Sequence, residues 1–405
     1  MGMVSVEDAL RAICDSAATL EAETVRLEDA CGRVLAGDII AEISQPPFAA
    51  SAMDGYAVRF NDARAVGARL RVIGEARAGA AGWKAVEAGS AIRIFTGGVI
   101  PDGADHVIIQ EDVERDGESI VVKDEQTDPR HIRRAGLDFN KGAVLIKAGS
   151  RLSAIDLSLL AAANVATARV TRRPIVAYFD NGDELVDPGA PLAPGRIVGS
   201  NRYALGELIK EWGGKARYLG RASDDPSSIR ALIERARGAD ALVPIGGASV
   251  GEHDHARAVF SQAGGRLIFE KIAVRPGKPT WFGALDKTLV LGLPGNPASA
   301  IVCAVLFLQP LIDRLLGVDA AGLKFMKAIL DGAELSNGPR ETYLRGKARH
   351  DDQGRFCVAP SANQDSSLIS VLAQADVLIR RLPHAPAAEK GDLVDCLIMR
   401  PIERQ

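Results

Sequence analysis

The chain of 405 residues lacks the marks of membrane, secreted and nucleic-acid-binding proteins. Its longest apolar run, 300–308, is far shorter than the ~18–20 residues that span a bilayer. Charged residues interrupt the first twenty positions, where a signal peptide would have its apolar core. The 49 Lys and Arg nearly balance the 52 Asp and Glu, so no general attraction to nucleic acid or anionic lipid arises. We therefore expect no nucleic-acid or membrane partner, and any bound anion needs a local site.

Cysteine and histidine are also scarce. The five cysteines are scattered and form no CxxC pair, which favours a reducing, cytoplasmic compartment over a disulfide framework or a zinc site. The one close histidine pair, His253 and His255, opens a predicted helix, where residues two apart do not share a face. Asp254 between them is the better magnesium candidate, because hard cations prefer carboxylate oxygen.

What remains is the composition of an ordinary soluble globular protein, with 47% hydrophobic and 25% charged residues. The length indicates two to four domains, at roughly 150 residues each. Short β-rich pieces between turns predict a small β domain over 45–138. Residues 172–317 alternate strands with helices, which predicts a mostly parallel sheet covered on both faces. The segment 320–405 returns to a β-like pattern and predicts a small barrel or sandwich.

Loops rich in glycine, carboxylates or cations follow five predicted strands of the α/β region. In an open parallel sheet, ligands bind beyond the carboxyl ends of the strands. The five predicted strands are 174–179, 216–219, 241–245, 267–274 and 288–292. Their shared edge is therefore the predicted ligand-binding cleft.

Each of these loops has a structural interpretation beside the functional one. The glycine-rich run 246–251 is either a tight turn or a nest of backbone N–H groups that suits a phosphate. Arg275 and Lys278 flank a Pro-Gly turn, and they are either a solvated pair or a clamp for an oxyanion or pyrophosphate.

Two further loops have the pattern of helix starts. Asp224 and Asp225 precede a proline, which is typical of a helix N-cap. Asn296 followed by Pro297 has the preferred order of N-cap and first helical residue. Ser299, in the first turn of that helix, would add a hydroxyl near the positive end of the helix dipole, where an anion is favoured.

Taken together, these motifs resemble the molybdopterin molybdenumtransferase family, which includes MoeA and the E domain of gephyrin. The most specific matches are the SAMDGY run at 51–56, the PGKP loop at 276–279 and the PGNP loop at 294–297. The resemblance runs from about residue 5 to the C-terminus in the family order. It implies insertion of molybdate into adenylated molybdopterin with release of AMP, the final step of molybdenum cofactor biosynthesis, with Mg²⁺ as cofactor.

The resemblance implies a multidomain α/β fold with a central, mostly parallel sheet domain of the molybdopterin-binding type. We expect that domain to comprise 1–20 and 171–319. A linking domain would comprise 21–44 and 139–170, a small β domain 45–138, and a C-terminal β-barrel-like domain 320–405.

The resemblance also implies roles for individual residues. The expected catalytic residues are Asp54, Thr96, Asp138, Glu184, Asp225 and Asp254. The expected magnesium ligands are drawn from Asp224, Asp225, Asp254 and Glu184. The expected substrate-binding residues are Gly182, Asn201, Gly246, Gly247, Ser249, Gly251, Pro279 and Asn296. The expected molybdate-binding residues are Arg275, Lys278, Ser299 and Ser366, with Arg340 or Arg345.

The implied assembly is a homodimer in which the β domain of one subunit covers the cleft of the other. The implied partners are adenylated molybdopterin and molybdate, and further the molybdopterin adenylyltransferase and the molybdoenzyme apoproteins. The chain departs from the family pattern at Asn181, Ile245 and Ala248. The alternative is a diverged paralogue that acts as a molybdopterin adenylyltransferase or as a non-catalytic molybdopterin-binding or scaffold protein.

Overall fold

The structure, a computed structural model, describes residues 2–79, 82, 84–247, 255–319 and 322–402. Its first helix shows how the sequence sets local structure. The Ser5 hydroxyl accepts a hydrogen bond from the Asp8 N–H at 3.0 Å and caps the helix start. Val6, Ala9 and Ile13, spaced by three or four residues, are buried on one face.

Residues 2–171 contain short strands and few helices. The helices are α1 (Val6–Ser16), α2 (Phe60–Ala63) and α3 (Ala154–Ala162). The strands are β1 (Ala22–Arg26), β2 (Ile39–Ile40), β3 (Ala50–Ser51), β4 (Gly55–Val58), β5 (Arg69–Ala76), β6 (Ser90–Ile94), β7 (His106–Ile109), β8 (Val113–Asp116), β9 (Ser119–Val122), β10 (Ile132–Arg133), β11 (Val144–Ile146) and β12 (Thr167–Thr171).

Strands and helices alternate through the middle of the chain. The strands are β13 (Ile175–Asn181), β14 (Leu185–Val186), β15 (Ile197–Val198), β16 (Lys215–Ala222), β17 (Ala241–Ile245), β18 (Arg266–Phe269), β19 (Val274–Arg275), β20 (Trp281–Leu285) and β21 (Thr288–Gly292). The helices are α4 (Asn201–Glu211), α5 (Pro226–Arg235), α6 (His255–Gln262), α7 (Pro297–Cys303) and α8 (Gln309–Leu316).

The last part of the chain is mainly β. Its strands are β22 (Met326–Leu330), β23 (Glu341–His350), β24 (Phe356–Pro360), β25 (Val377–Arg381) and β26 (Leu393–Ile398), and its helix is α9 (Ile369–Gln374).

Three six-stranded sheets organise the chain. The central sheet has the order β16-β13-β17-β21-β20-β18, and its first four strands are parallel. The N-terminal sheet has the order β7-β4-β6-β5-β9-β8. In the C-terminal sheet, the pairing of β23 with β25 closes five strands into a barrel, and β19 pairs with the outside of β23. The predicted α/β fold with a barrel-like C-terminal domain is confirmed.

One predicted strand, 267–274, is divided between two sheets. Its first part, β18, lies in the central sheet, and β19 pairs with β23 of the barrel. The two charged residues Glu270 and Lys271 interrupt the apolar run at this point. The loop that carries Arg275 therefore joins the central sheet to the barrel instead of simply following a strand of the central sheet.

The apolar segment 297–316 forms one long helix with a π-helical turn at Ala304–Leu308. Pro310 lies just beyond this turn and has no N–H for the α-helical hydrogen-bond ladder. The helix is long and apolar enough to cross a membrane, but 83% of its apolar window is buried inside the protein. It is therefore a core helix, and it lies at the centre of the largest apolar cluster.

Candidate active site

A cleft of about 560 Å³ lies at the C-terminal edge of the central sheet. The ends of β13 and β17 form its floor, and the loops before α4 and α7 form its walls. Seven of the expected site residues line it: Glu184, Asn201, Gly246, Gly247, Lys278, Pro279 and Asn296. The structure thus brings together residues from five separate segments of the chain.

Glu184 and Asp224 define the acidic side of this region. Glu184 is exposed and lines the cleft directly. Asp224 accepts hydrogen bonds from the Asn181 side-chain amide at 3.2 Å and from the Asp183 N–H at 3.4 Å. Asp224 therefore holds the loop that carries Glu184, and Gly182 lies in the same loop.

Asp225 occupies the N-cap position of α5, as its position before a proline predicted. Its carboxylate accepts a hydrogen bond from the Ser228 N–H at 3.2 Å and another from the Ser227 hydroxyl. The hydrogen bonds from Ser227 and Ser228 lower the pKa of Asp225. A catalytic or metal-binding role for Asp225 stays a prediction.

The glycine-rich loop is described only at its beginning. The Gly246 N–H donates to the Leu293 carbonyl at 3.0 Å, so this amide is not available to a phosphate. Gly247 lines the cleft. The predicted site residues Ser249, Gly251 and Asp254, like the departure at Ala248, lie outside the described residues.

The cationic side of the cleft combines Lys278 with the beginning of α7. Asn296 precedes α7, but its side chain makes no capping hydrogen bond. Its amide instead donates to the Ser366 hydroxyl at 2.8 Å, and the Ala298 N–H donates to the Ser366 carbonyl at 3.0 Å. Ser299 follows in the first turn and is buried. The barrel domain thus contributes Ser366 to the helix start that borders the cleft.

A second, smaller cavity of about 290 Å³ lies between the Arg275 loop and the barrel. Three arginines line it: Arg275, Arg345 and Arg381. Arg345 is only 1% exposed, and its Nη2 donates to the Asp365 carbonyl at 3.1 Å. Burial lowers the pKa of Arg345, and the nearby Arg275 cation adds to this effect. Of the two alternatives for a molybdate-binding arginine, Arg345 lines this cavity and Arg340 does not.

Asp54 and Thr96 lie together in the N-terminal sheet region. One oxygen of Asp54 accepts hydrogen bonds from the Thr96 N–H at 2.7 Å and from the Thr96 hydroxyl at 2.8 Å. These two bonds lower the pKa of Asp54. Asp138 is exposed in a loop whose N–H groups bond to the chain at Gln45 and Pro46.

None of these three residues lines the cleft of its own chain, as far as the described residues show. Their expected part in catalysis therefore stays a prediction that depends on a partner subunit.

The structure adds cleft residues that sequence reasoning did not select. Asp180 and Asn181 are buried at the end of β13, and Ser367 lies on the opposite wall. A carboxylate at the end of the apolar strand IVAYFDN was a signal for Asp180. No sequence pattern indicated Ser367, because its position depends on the docking of the barrel.

Three family models match successive parts of the chain. The MoeA N-terminal region, described as domain I and II, matches residues 4–164. A family described as a probable molybdopterin binding domain matches residues 180–314. The MoeA C-terminal region, described as domain IV, matches residues 327–399.

Full-length relatives and solved structures agree with these matches. A protein of Nostoc sp. named molybdopterin molybdenumtransferase is 34% identical, over 93% of this chain and 89% of its own length. A Haemophilus influenzae protein of the same name is 39% identical over 89% of both chains. The crystal structure of a molybdopterin biosynthesis MoeA protein from Pyrococcus horikosii has a TM-score of 0.85 at 32% identity, over 99% of this chain and 100% of that one.

Proposed function

The chain belongs to the molybdopterin molybdenumtransferase family, a family of transferases in molybdenum cofactor biosynthesis, and from this premise we propose that it transfers molybdenum from molybdate to adenylated molybdopterin with release of AMP. The single observation that carries the proposal is the cleft at the edge of the central sheet. It places the Lys278 ammonium and the start of α7 on one side and the Glu184 carboxylate on another. Such a cleft suits a substrate with anionic and metal-bridged oxygens.

The residues of this chain bind and orient the substrate. Lys278 neutralises phosphate or molybdate oxygens, and the Asn296–Ser366 contact fixes the helix start beside them. The buried arginine Arg345 and the neighbouring Arg275 hold an oxyanion in the smaller cavity until it is used. Both cavities border the loop 275–279.

Magnesium fits the described residues only in part. Both oxygens of Asp224 are engaged by neighbouring N–H groups, and Asp225 caps a helix. No group of three or more candidate metal ligands exists among the residues that the structure describes. Magnesium commonly needs only one or two protein carboxylates beside substrate phosphates. Glu184 would hold such an ion, which would spread charge as the phosphoanhydride bond breaks.

The proposal includes a cytoplasmic homodimer in which Asp54, Thr96 and Asp138 complete the cleft of the partner. Large apolar side chains near Asp54 and Asp138 in the sequence are exposed: Phe48 and Met53 are each 42% exposed, and Leu137 is 66% exposed. An exposed apolar surface next to polar residues is typical of a contact with another protein.

The test is release of AMP from adenylated molybdopterin by the purified protein with Mg²⁺, with and without molybdate. We expect release that depends on molybdate. Lys278→Gln should reduce the rate by about a hundredfold, the size of effect that follows the loss of one charged group aimed at reacting oxygens. Lys287→Gln removes the same charge from an exposed turn and should have no effect.

Bound substrate with no molybdate-dependent AMP release would overturn the proposal. AMP transfer from ATP to molybdopterin would instead support the adenylyltransferase alternative.

A further inference from the structure

The cleft floor contains a buried carboxyl group that the proposed function does not use. Asp180 is the second-last residue of β13, is only 4% exposed and lines the cleft. The Tyr218 hydroxyl donates a hydrogen bond to one of its oxygens at 3.1 Å. A carboxylate has about four acceptor positions, so Asp180 retains capacity to accept hydrogen bonds from a ligand.

Asn181 gives the cleft a second acceptor, on the opposite face of β13, because neighbouring residues of a strand point to opposite faces of the sheet. It is also only 4% exposed, and its amide nitrogen donates to Asp224 at 3.2 Å. This bond fixes the orientation of the amide and leaves the oxygen Oδ1 buried without a partner among the described residues. Buried polar atoms are normally hydrogen-bonded. An unpartnered acceptor that borders a cleft therefore indicates a ligand with N–H or O–H donors.

Asn201 repeats this arrangement on the neighbouring wall. Its amide nitrogen donates to the Gly295 carbonyl at 2.7 Å, and its Oδ1 is likewise buried without a partner in the described chain. The cleft thus presents oxygen acceptors from Asp180 and Asn181 at the end of β13 and from Asn201 beside the loop before α7.

Apolar side chains lie next to these acceptors. Leu185 on β14 and the pair Ile197 and Val198 on β15 line the cleft, and Ile197 is 55% exposed. The two short strands pair in parallel, and the Arg221 guanidinium donates to the Leu185 carbonyl at 2.5 Å. An apolar strip beside an edge of acceptors is the environment that a flat heterocycle needs, because its faces are apolar and its edge carries the donors.

The start of α7 lies away from Asp180. Asp180 lies at the end of β13, whereas α7 follows β21, two strands away in the central sheet. At about 4.8 Å per strand, the two ends are separated by roughly 10 Å. A ligand that fits this polarity has a heterocycle with N–H donors at one end and an anionic group at the other.

We propose that Asp180 is a specificity residue that binds the N–H edge of a 2-amino-4-oxopyrimidine ring such as the one in a pterin. This inference rests on the proposed function and assigns the pterin end of its substrate. The ring N–H and the exocyclic amine are adjacent donors, and the two oxygens of a carboxylate accept from both. An adenine edge offers one donor beside an acceptor, and the acceptor is repelled by a carboxylate. The pyrophosphate and adenosine then extend toward Lys278.

The test compares two free pteridines in binding to the intact chain. A 6-substituted pterin has the 2-amino group, and the matching lumazine has an oxygen there. Titrations at pH 7, followed by ligand fluorescence, should show that the wild type prefers the pterin by ten- to a hundredfold. Asp180→Asn keeps the shape and an acceptor for Tyr218, and it should lose most of this preference.

Glu234→Gln provides the matched control, because it removes an exposed carboxylate from α5 of the same domain. It should bind both pteridines as the wild type does. Equal binding of the two pteridines by the wild type, no measurable pterin binding, or an unchanged preference in Asp180→Asn would each overturn the inference. AMP release is measured separately, so failure of the proposed reaction can be distinguished from failure of this assignment.

Discussion

A carboxyl group as deeply buried as Asp180 costs stability when it is ionised. Burial raises the pKa of Asp180; the hydrogen bond from Tyr218 and the cations Arg202 and Arg221 oppose this shift, and the charge of Asp187 adds to it. The native state therefore binds the proton more tightly than the unfolded chain. By linkage, the wild type loses stability as the pH rises from the unfolded value of about 3.9 through the higher native value.

Asp180→Asn should consequently be more stable than the wild type at pH 8, and the difference should disappear near pH 4. Asparagine does not ionise, so the variant escapes the cost of about 1.4 kcal/mol for each unit by which the native pKa exceeds the unfolded one. The measurement is the midpoint of thermal unfolding across this pH range. A difference in unfolding midpoint between the two proteins that does not change with pH would contradict a raised pKa of Asp180 in the native state.

Thr96 controls the charge of Asp54 through the two hydrogen bonds described above. Thr96→Val removes the hydroxyl bond and keeps the backbone bond, so the pKa of Asp54 should rise. The acidic limb of the pH profile for AMP release should then move to higher pH. Thr96→Ser keeps the hydroxyl and should retain the wild-type profile. Identical profiles for the serine and valine variants would contradict a role for the ionised Asp54.

Single residues also show where sequence reasoning succeeds. Glu184 and Lys278 were selected because they follow predicted strands or rigid turns, and both line the cleft. The run 246–251 had two interpretations, a tight turn and a phosphate nest, and the structure shows that the Gly246 N–H bonds to Leu293 of the neighbouring strand segment. A local pattern shows that an amide has an unusual backbone conformation. It does not show which distant carbonyl lies opposite.

The loop between β19 and β20 is the element on which both cavities depend. Gly277 has a φ of 117°, and a Cβ atom there would overlap the Sγ of Cys303 in α7. Thr280 completes the contact: its hydroxyl bonds to the Gly277 carbonyl at 2.8 Å and lies 3.2 Å from the Cys303 sulfur. Burial raises the pKa of Cys303 to about 12, so the thiol stays neutral and acts as a packing group.

Gly277→Ala should lower the free energy of unfolding by about 3 kcal/mol, because left-handed strain and overpacking add. It should also reduce AMP release, since the loop carries Arg275 and Lys278. Cys303→Ala in the same chain should restore part of both losses, because it makes room for the new methyl group. Thermal unfolding and AMP release are measured on the single and double variants.

Gly354→Ala separates the two causes. Gly354 also has a positive φ, of 74°, but no atom lies near its missing Cβ. The Gly354→Ala variant should lose only ~1–2 kcal/mol of unfolding free energy, from backbone strain alone. The contact between residue 277 and the Cys303 sulfur would be shown to be unimportant by either of two results. One is an equal loss of unfolding free energy in Gly277→Ala and Gly354→Ala, and the other is no recovery when Cys303→Ala is added to Gly277→Ala.

Elements with a strong local pattern were predictable, and those that depend on distant packing were not. β17 and β21 are apolar runs that end in glycine-containing loops, and they match their predicted bounds. β20 was not predicted. It contains Gly283, whose backbone lies against Phe260 of α6. Its place between β21 and β18 follows from that tertiary contact, which hydrophobic periodicity does not encode.

At the scale of the molecule, the site is assembled from segments far apart in the chain. The α/β region supplies Glu184 and Asn201, and the barrel domain supplies Ser366 and Ser367. The sequence identified most of these segments through their motifs. It did not reveal that Arg275 and Arg345 have a cavity of their own, because this cavity exists only where the barrel meets the loop.

The arrangement of the subunits determines how the β domain would contribute to the cleft. Asp54 and Asp138 do not line the cleft of their own chain, whereas Glu184 and Lys278 do. If the partner subunit supplies the first pair, Asp54→Asn and Glu184→Gln should each be inactive alone and should complement each other when unfolded together and refolded. About half of the dimers would then be mixed, each with one intact cleft, so about a quarter of the wild-type AMP release should return.

Two matched mixtures separate this arrangement from accidental recovery. Asp54→Asn with Asp138→Asn places both defects on the covering side, and Glu184→Gln with Lys278→Gln places both in the cleft. In either mixture every cleft of a mixed dimer retains one defect, so no activity should return. Activity that fails to return with Asp54→Asn and Glu184→Gln, although mixed dimers are present, would mean that each chain must complete its own site. The β domain would then have to move toward its own cleft during the reaction.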